Sequence, residues 1–218
     1  MQRIRPFTLT LFFCLAMAAN ASAAEPCFYG EESFTIVWDL TGMESGKITE
    51  HVMDCGRKRV EIHDTAMSVA GMTTKQKKRT IYDGAEVVTV DSASGKTTKM
   101  KNPMYDSLVQ SMNGKDGVEF GKEIMSRMGG KPTGKTGTYA GVECDFWQIA
   151  SLATESCVTS WGATLYTKAT VMNMTSERVA TSIKIGDPGP ADAYAYEASK
   201  AQQQPDVAEL MKLFNQGK

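Results

Sequence analysis

His51, Met53 and His63 are the residues of this chain best suited to hold a metal ion. Imidazole is a common copper ligand, and thioether suits the soft Cu(I) ion. If the stretches 47–53 and 57–63 pair so that Val52 meets Val60, the three share one face, with the histidines on a diagonal about 7–8 Å apart. A slip of one residue puts the histidines on opposite faces and removes the site. Gly129-Gly-Lys-Pro-Thr-Gly-Lys-Thr136 satisfies G-x-x-x-x-G-K-[ST], the loop that cradles nucleotide phosphates. Such a loop follows a strand and opens a helix. Here helix-like residues precede it and strand-like residues follow, so no nucleotide is expected. Glu143 and Asp145 share a strand face, but nothing marks them as an acid/base pair. Without G-x-S-x-G, H-E-x-x-H or a free Cys beside a His, neither catalysis nor a cofactor is expected.

The cysteines carry different chemistry. Met1 to Ala23 reads as an export signal, with Arg3 and Arg5 at its start and Ala21-Ser-Ala23 as its cleavage site. Its apolar stretch, Thr8 to Ala19, is too short to span a bilayer. Cleavage would leave Cys27, Cys55, Cys144 and Cys157, an even count that in an oxidising compartment implies two disulfides. Cys144 and Cys157 lie symmetrically about a turn near Ser151-Leu152, in stretches that read as paired strands. They are expected to bond, leaving Cys27 to bond Cys55. At 218 residues the chain can build a real core. With 24 basic against 25 acidic residues it lacks the surplus that phosphate neutralisation needs, so nucleic acid is excluded as a partner.

Short alternating stretches over 34–40, 47–53, 57–63, 77–82, 85–91 and 96–101 predict an antiparallel meander. Met104, Leu108 and Met112 then repeat at helical spacing, and Val118, Ile124, Met125 and Met128 mark a second helix closed by Gly129-Gly130. Strand pattern resumes over 137–150, 155–166 and 170–185. A turn at 187–192 leads to Val207, Leu210, Met211 and Phe214, which predict an amphipathic helix. The division is a signal at 1–23, one domain at 24–186 and a tail at 187–218.

Gly46 to Glu61, Ile81-Tyr-Asp-Gly84, Val90-Asp91 and Lys99 to Asn102 form an ordered set of motifs. With Gly137-Thr-Tyr-Ala-Gly-Val-Glu-Cys-Asp-Phe-Trp147 before Cys157, that set resembles an uncharacterised family of exported bacterial proteins. That family is similar to the periplasmic lipoprotein-carrier (LolA-like) fold. The resemblance covers about 32–185 and implies an antiparallel half-barrel whose apolar concave side is closed by helices, with no catalytic residues to carry over.

The expected fold is therefore mainly β with helices (α+β), a curved antiparallel half-barrel closed by two central helices. The expected function is non-enzymatic binding, in the periplasm, of an apolar ligand such as a lipid or a lipoprotein's acyl chain. Phe34, Ile36, Trp38, Met104, Leu108, Met112, Met125 and Met128 are its expected lining, methionine being adaptable enough to repack around varied apolar ligands. Lys75, Lys77, Arg79, Lys96, Lys99 and Lys101 suggest a basic rim or a solvated edge. Two rival readings are a copper protein using His51, Met53 and His63, and an envelope interaction module that docks a protein partner through its C-terminal helix.

Overall fold

The alternation of Phe34, Ile36, Trp38 and Leu40 along β1 (Phe34–Thr41) buries all four, and β1 lies mid-sheet. The computed structural model describes residues 26–69, 71–102, 104–112, 114–171 and 174–204. The export signal and the helix expected over 205–214 lie outside them. The other strands are β2 (Glu44–Met53), β3 (Lys58–Val69), β4 (Met72–Asp83), β5 (Glu86–Asp91) and β6 (Thr97–Lys101). After helices α1 (Tyr105–Met112) and α2 (Gly117–Arg127) come β7 (Gly130–Tyr139), β8 (Val142–Ile149), β9 (Thr154–Val158), β10 (Thr164–Val171), β11 (Met174–Ile185) and β12 (Ala201–Gln203).

These strands make one twelve-stranded sheet in the order β12-β6-β5-β4-β3-β2-β1-β11-β10-β9-β8-β7. It is antiparallel apart from β12, which pairs parallel with β6. The sheet does not close, and its curved half-barrel with two helices is the architecture that the resemblance implied. Asp116 caps α2 by accepting the Glu119 backbone N–H at 2.9 Å. The Cys27–Cys55 and Cys144–Cys157 disulfides are those expected, and they belong to a chain of an oxidising compartment outside the cytosol. The nucleotide-like motif runs from the turn residue Gly129 into β7, an edge strand with a bulge between Pro132 and Thr136, so it opens no helix. A turn at 140–141 splits the expected run 137–150 into β7 and β8.

One register differs from expectation. Val52 pairs with Arg59 and His51 with Val60, one residue away from the Val52–Val60 pairing. His51 therefore points to the outer face and His63 to the concave one, and the copper site formed by His51, Met53 and His63 does not exist. Among the described residues no group of three His, Cys, Asp or Glu side chains is placed to hold a metal.

The slip follows from coverage. The main core contains Phe34, Ile36, Trp38, Ile48 and Leu165 together with the Cys144–Cys157 bridge. A second core of Val60, Ile81, Val88 and Ala193 lies on the outer face, joined by Ile62, Val90, Tyr194 and Tyr196. Residues 187–203 cover it. Arg79 donates to the carbonyls of Asp192 at 2.9 Å and Ala195 at 2.6 Å, and Tyr194 donates to Pro188 O at 2.8 Å. Thr35 Oγ1 donates to Asp187 O at 2.9 Å, so its 2.8 Å contact with His51 Nδ1 takes the imidazole proton. Gly189 passes so close that a Cβ there would lie 2.2 Å from His51 Nδ1.

Candidate functional site

The concave face is covered by α1, α2 and the segment after Cys27. Phe28 and Tyr29 both donate their backbone N–H to Cys55 O, at 2.8 and 3.3 Å, and Gly30 donates to Trp161 O at 2.9 Å. Gly117, opening α2, lies against Phe28 so closely that a Cβ would come 2.3 Å from its backbone. The ring of Phe28 meets Tyr105 of α1 edge-on at 6.1 Å, and Tyr29 meets Phe34 at 5.0 Å. This disulfide-anchored segment is wedged between helices and sheet, with a cavity on either side.

One cavity, of about 260 Å³, is apolar and lies under the helices, lined by Phe28, Leu108, Val118, Phe120, Ile124, Met125 and Trp147. The other, of about 240 Å³, is floored by β1, β2, β3 and β11, and its lining includes Trp38, Glu50, Arg59, Glu61 and Arg178. Tyr29, Gly162 and Thr164 line both, so the two adjoin.

The second cavity carries charge that a sheet rarely turns inward. Glu50 is 6 % exposed and sits directly opposite Glu61 on β3. Two carboxylates in that position repel unless cations meet them. Arg59 lies 3.7 Å from Glu50 and 3.6 Å from Glu61, and Arg178 reaches Glu50 at 3.5 Å from β11. Trp38 Nε1 donates to Glu50 at 3.2 Å. Each guanidinium lies over an aromatic face: Arg178 over Trp38 at 4.0 Å and Arg59 over Tyr82 at 4.3 Å. Burial raises the Glu50 carboxyl above the usual carboxylate range, against the pull of Arg59 and Arg178. Burial also pushes the Tyr29 phenol up to about 12, with the Glu50 charge adding to it. Glu61 goes the other way: burial raises it, but the hydrogen bond with His63 (3.2 Å) and the Arg59 charge outweigh burial and hold it low.

The expected lining residues are divided between these places. Phe34, Ile36 and Trp38 line the charged cavity, and Leu108 and Met125 line the apolar one. Met112 is buried at 2 % exposure. Met104 and Met128 are 72 % and 46 % exposed and line neither cavity, so of the expected methionines only Met125 lines one of the two. Met104 precedes the first turn of α1 and Met128 ends α2, where helical periodicity no longer sets direction. Of the expected basic rim, Lys77, Lys99 and Lys101 pair with Asp64, Glu86 and Asp106, while Arg79 holds the C-terminal segment.

Tyr29, Glu50, Arg59, Glu61 and Arg178 were not foreseen as site residues. The one available signal is the alternation in β3, where Arg59, Glu61 and His63 share a face opposite Val60 and Ile62. That pattern reads as an ordinary solvated face until something covers it.

No protein-family model matches the chain, and no curated protein matches it. Among solved structures, it is similar to an uncharacterised conserved protein from Thermus thermophilus, with 8% identity and a TM-score of 0.49 over 80% of this chain and 91% of that one. It is similar to PNGF-II, with 12% identity and a TM-score of 0.43 over 84% of this chain and 32% of that one. It is also similar to MucB, with 12% identity and a TM-score of 0.38 over 79% of this chain and 59% of that one. The chain thus spans about a third of PNGF-II. All three TM-scores are below 0.5, and what this chain binds is read from its own residues.

Proposed function

We propose that this is an exported periplasmic protein that binds an apolar or amphiphilic molecule, with no chemical turnover, beneath the α1–α2 cover. The observation that supports the reading is the apolar cavity of about 260 Å³ between those helices and the sheet. Small-molecule sites are concave and mostly apolar with a few convergent polar groups, and the charged cavity supplies the polar groups alongside. The driving force is removal of apolar surface from water, about 25 cal/mol per Å² before ordering costs.

The test is native mass spectrometry of protein exported to a bacterial periplasm, beside the denatured sample. The denatured chain is expected to begin near Ala24 and to weigh about four hydrogens less than its reduced form, for two disulfides. The native species is expected to carry extra mass in the lipid range that denaturation releases. A bare native mass, followed by no uptake of added decanol, overturns the binding reading.

A further inference from the structure

Four charged side chains converge beneath the covered concavity, where apolar residues of similar volume would hold the fold as well or better. Their arrangement is uneven. Both carboxylates have a hydrogen-bond donor: Trp38 Nε1 serves Glu50, and His63 serves Glu61. The guanidiniums are matched less closely, although Arg59 also donates hydrogen bonds to the Tyr29 and Tyr82 hydroxyls. Their separations from Glu50 and Glu61, 3.5–3.7 Å, exceed the roughly 2.7–2.9 Å of a charge-assisted hydrogen bond. Arg178 Nε is buried with no hydrogen-bond partner among the described residues. Two guanidiniums carry about ten N–H donors between them, and stacking on Trp38 and Tyr82 holds their planes in place. The site has donors to spare and few free acceptors.

We propose that the cavity between Arg59 and Arg178 receives the anionic oxygen-bearing head group, phosphate or carboxylate, of an amphiphile whose chain occupies the adjoining apolar cavity. This rests on the binding reading above and adds the ligand's polar end to it. The planar fork of arginine matches both anions. The boundary shared at Tyr29, Gly162 and Thr164 lets one molecule reach from the charged floor to the space under α1 and α2. Glu50 faces the head group from β2, Glu61 and Arg59 from β3, Arg178 from β11, and Tyr29 from the N-terminal segment. The anion competes with Glu50 for the same two cations. Because burial already disfavours the charged form of Glu50, proton uptake there accommodates the anion, and its binding tightens as pH falls.

Isothermal titration calorimetry with a ten-carbon series on the intact oxidised chain tests this: decyl phosphate, decanoate, decanol and decyltrimethylammonium, with inorganic phosphate alone. Decyl phosphate, decanoate or both are expected to bind about tenfold or more tighter than decanol. In Arg178→Gln and Arg59→Gln that ratio is expected to fall towards one, and Arg178→Lys to restore part of it. The wild-type comparison stands even if a variant does not fold. Equal affinity for the anions and decanol overturns the head-group site while leaving apolar binding intact. Tightest binding of decyltrimethylammonium also overturns it, because the carboxylates then read the head. Inorganic phosphate binding as tightly as decyl phosphate removes the chain from the interaction and overturns the amphiphile. No binding by any member of the series is instead the failure of the binding reading itself.

Discussion

The two faces of β3 and β4 are built by opposite rules. The concave face, where a half-barrel would be expected to keep its apolar residues, carries Glu50, Arg59, Glu61 and His63. The outer face, expected to meet water, carries Val60, Ile62 and Ile81 beneath residues 187–203. The concave side turns apolar at β1, with Phe34, Ile36 and Trp38, and at the neighbouring positions of β2, Ile48 and Val52. A strand buries its apolar side wherever cover is available, and here the cover over β3 and β4 is the C-terminal segment on the outside. That frees the inner side of the same strands for charge.

The strongest test of this contrast is a carboxylate on the outer face. Val60→Asp places an unmet charge in a core where Val60 is fully buried, and is expected to cost about 3–5 kcal/mol in urea unfolding. Its neighbour Glu61 is tolerated because Arg59 and His63 meet it. A cost below about 1 kcal/mol would mean that residues 187–203 do not exclude water from Val60.

A smaller effect separates Glu50 from His51, adjacent residues on opposite faces. Burial lowers the His51 pKa, with Asp187 partly opposing. Its unfolded form binds the proton more readily, so its contribution is present above about pH 6.5 and is lost as pH falls towards the lowered folded value. Burial raises the Glu50 pKa, so its contribution is present below the ordinary carboxylate range and is lost as pH rises through the raised folded value. Unfolding free energies measured across pH 4–8 are expected to lose the acid-side decline in His51→Gln and the decline above the carboxylate range in Glu50→Gln. Slopes of the same sign in the two variants would break the comparison.

The smallest effect sharpens the correction to the methionine stripe. Met104→Ser, at an exposed position, is expected to change stability by no more than about 0.5 kcal/mol and to leave decanol binding as it was. A loss of decanol binding would return Met104 to the lining.

Much was legible from residue types and spacing alone: the apolar alternation of β1, the helical repeats of α1 and α2, and both disulfide pairings. Each depends on local periodicity or on chemistry that is the same in any fold. The tertiary structure decided the rest. The one-residue register that separates His51 from His63, and the inward turn of Arg59 and Glu61, depend on which side of the sheet is covered. So does the union of Glu50 with Arg178, which are far apart in sequence. Strand alternation states that two faces differ, but not which one meets water. That choice belongs to the segments that pack over each face, residues 187–203 outside and the Cys27–Gly30 segment with α1 and α2 within.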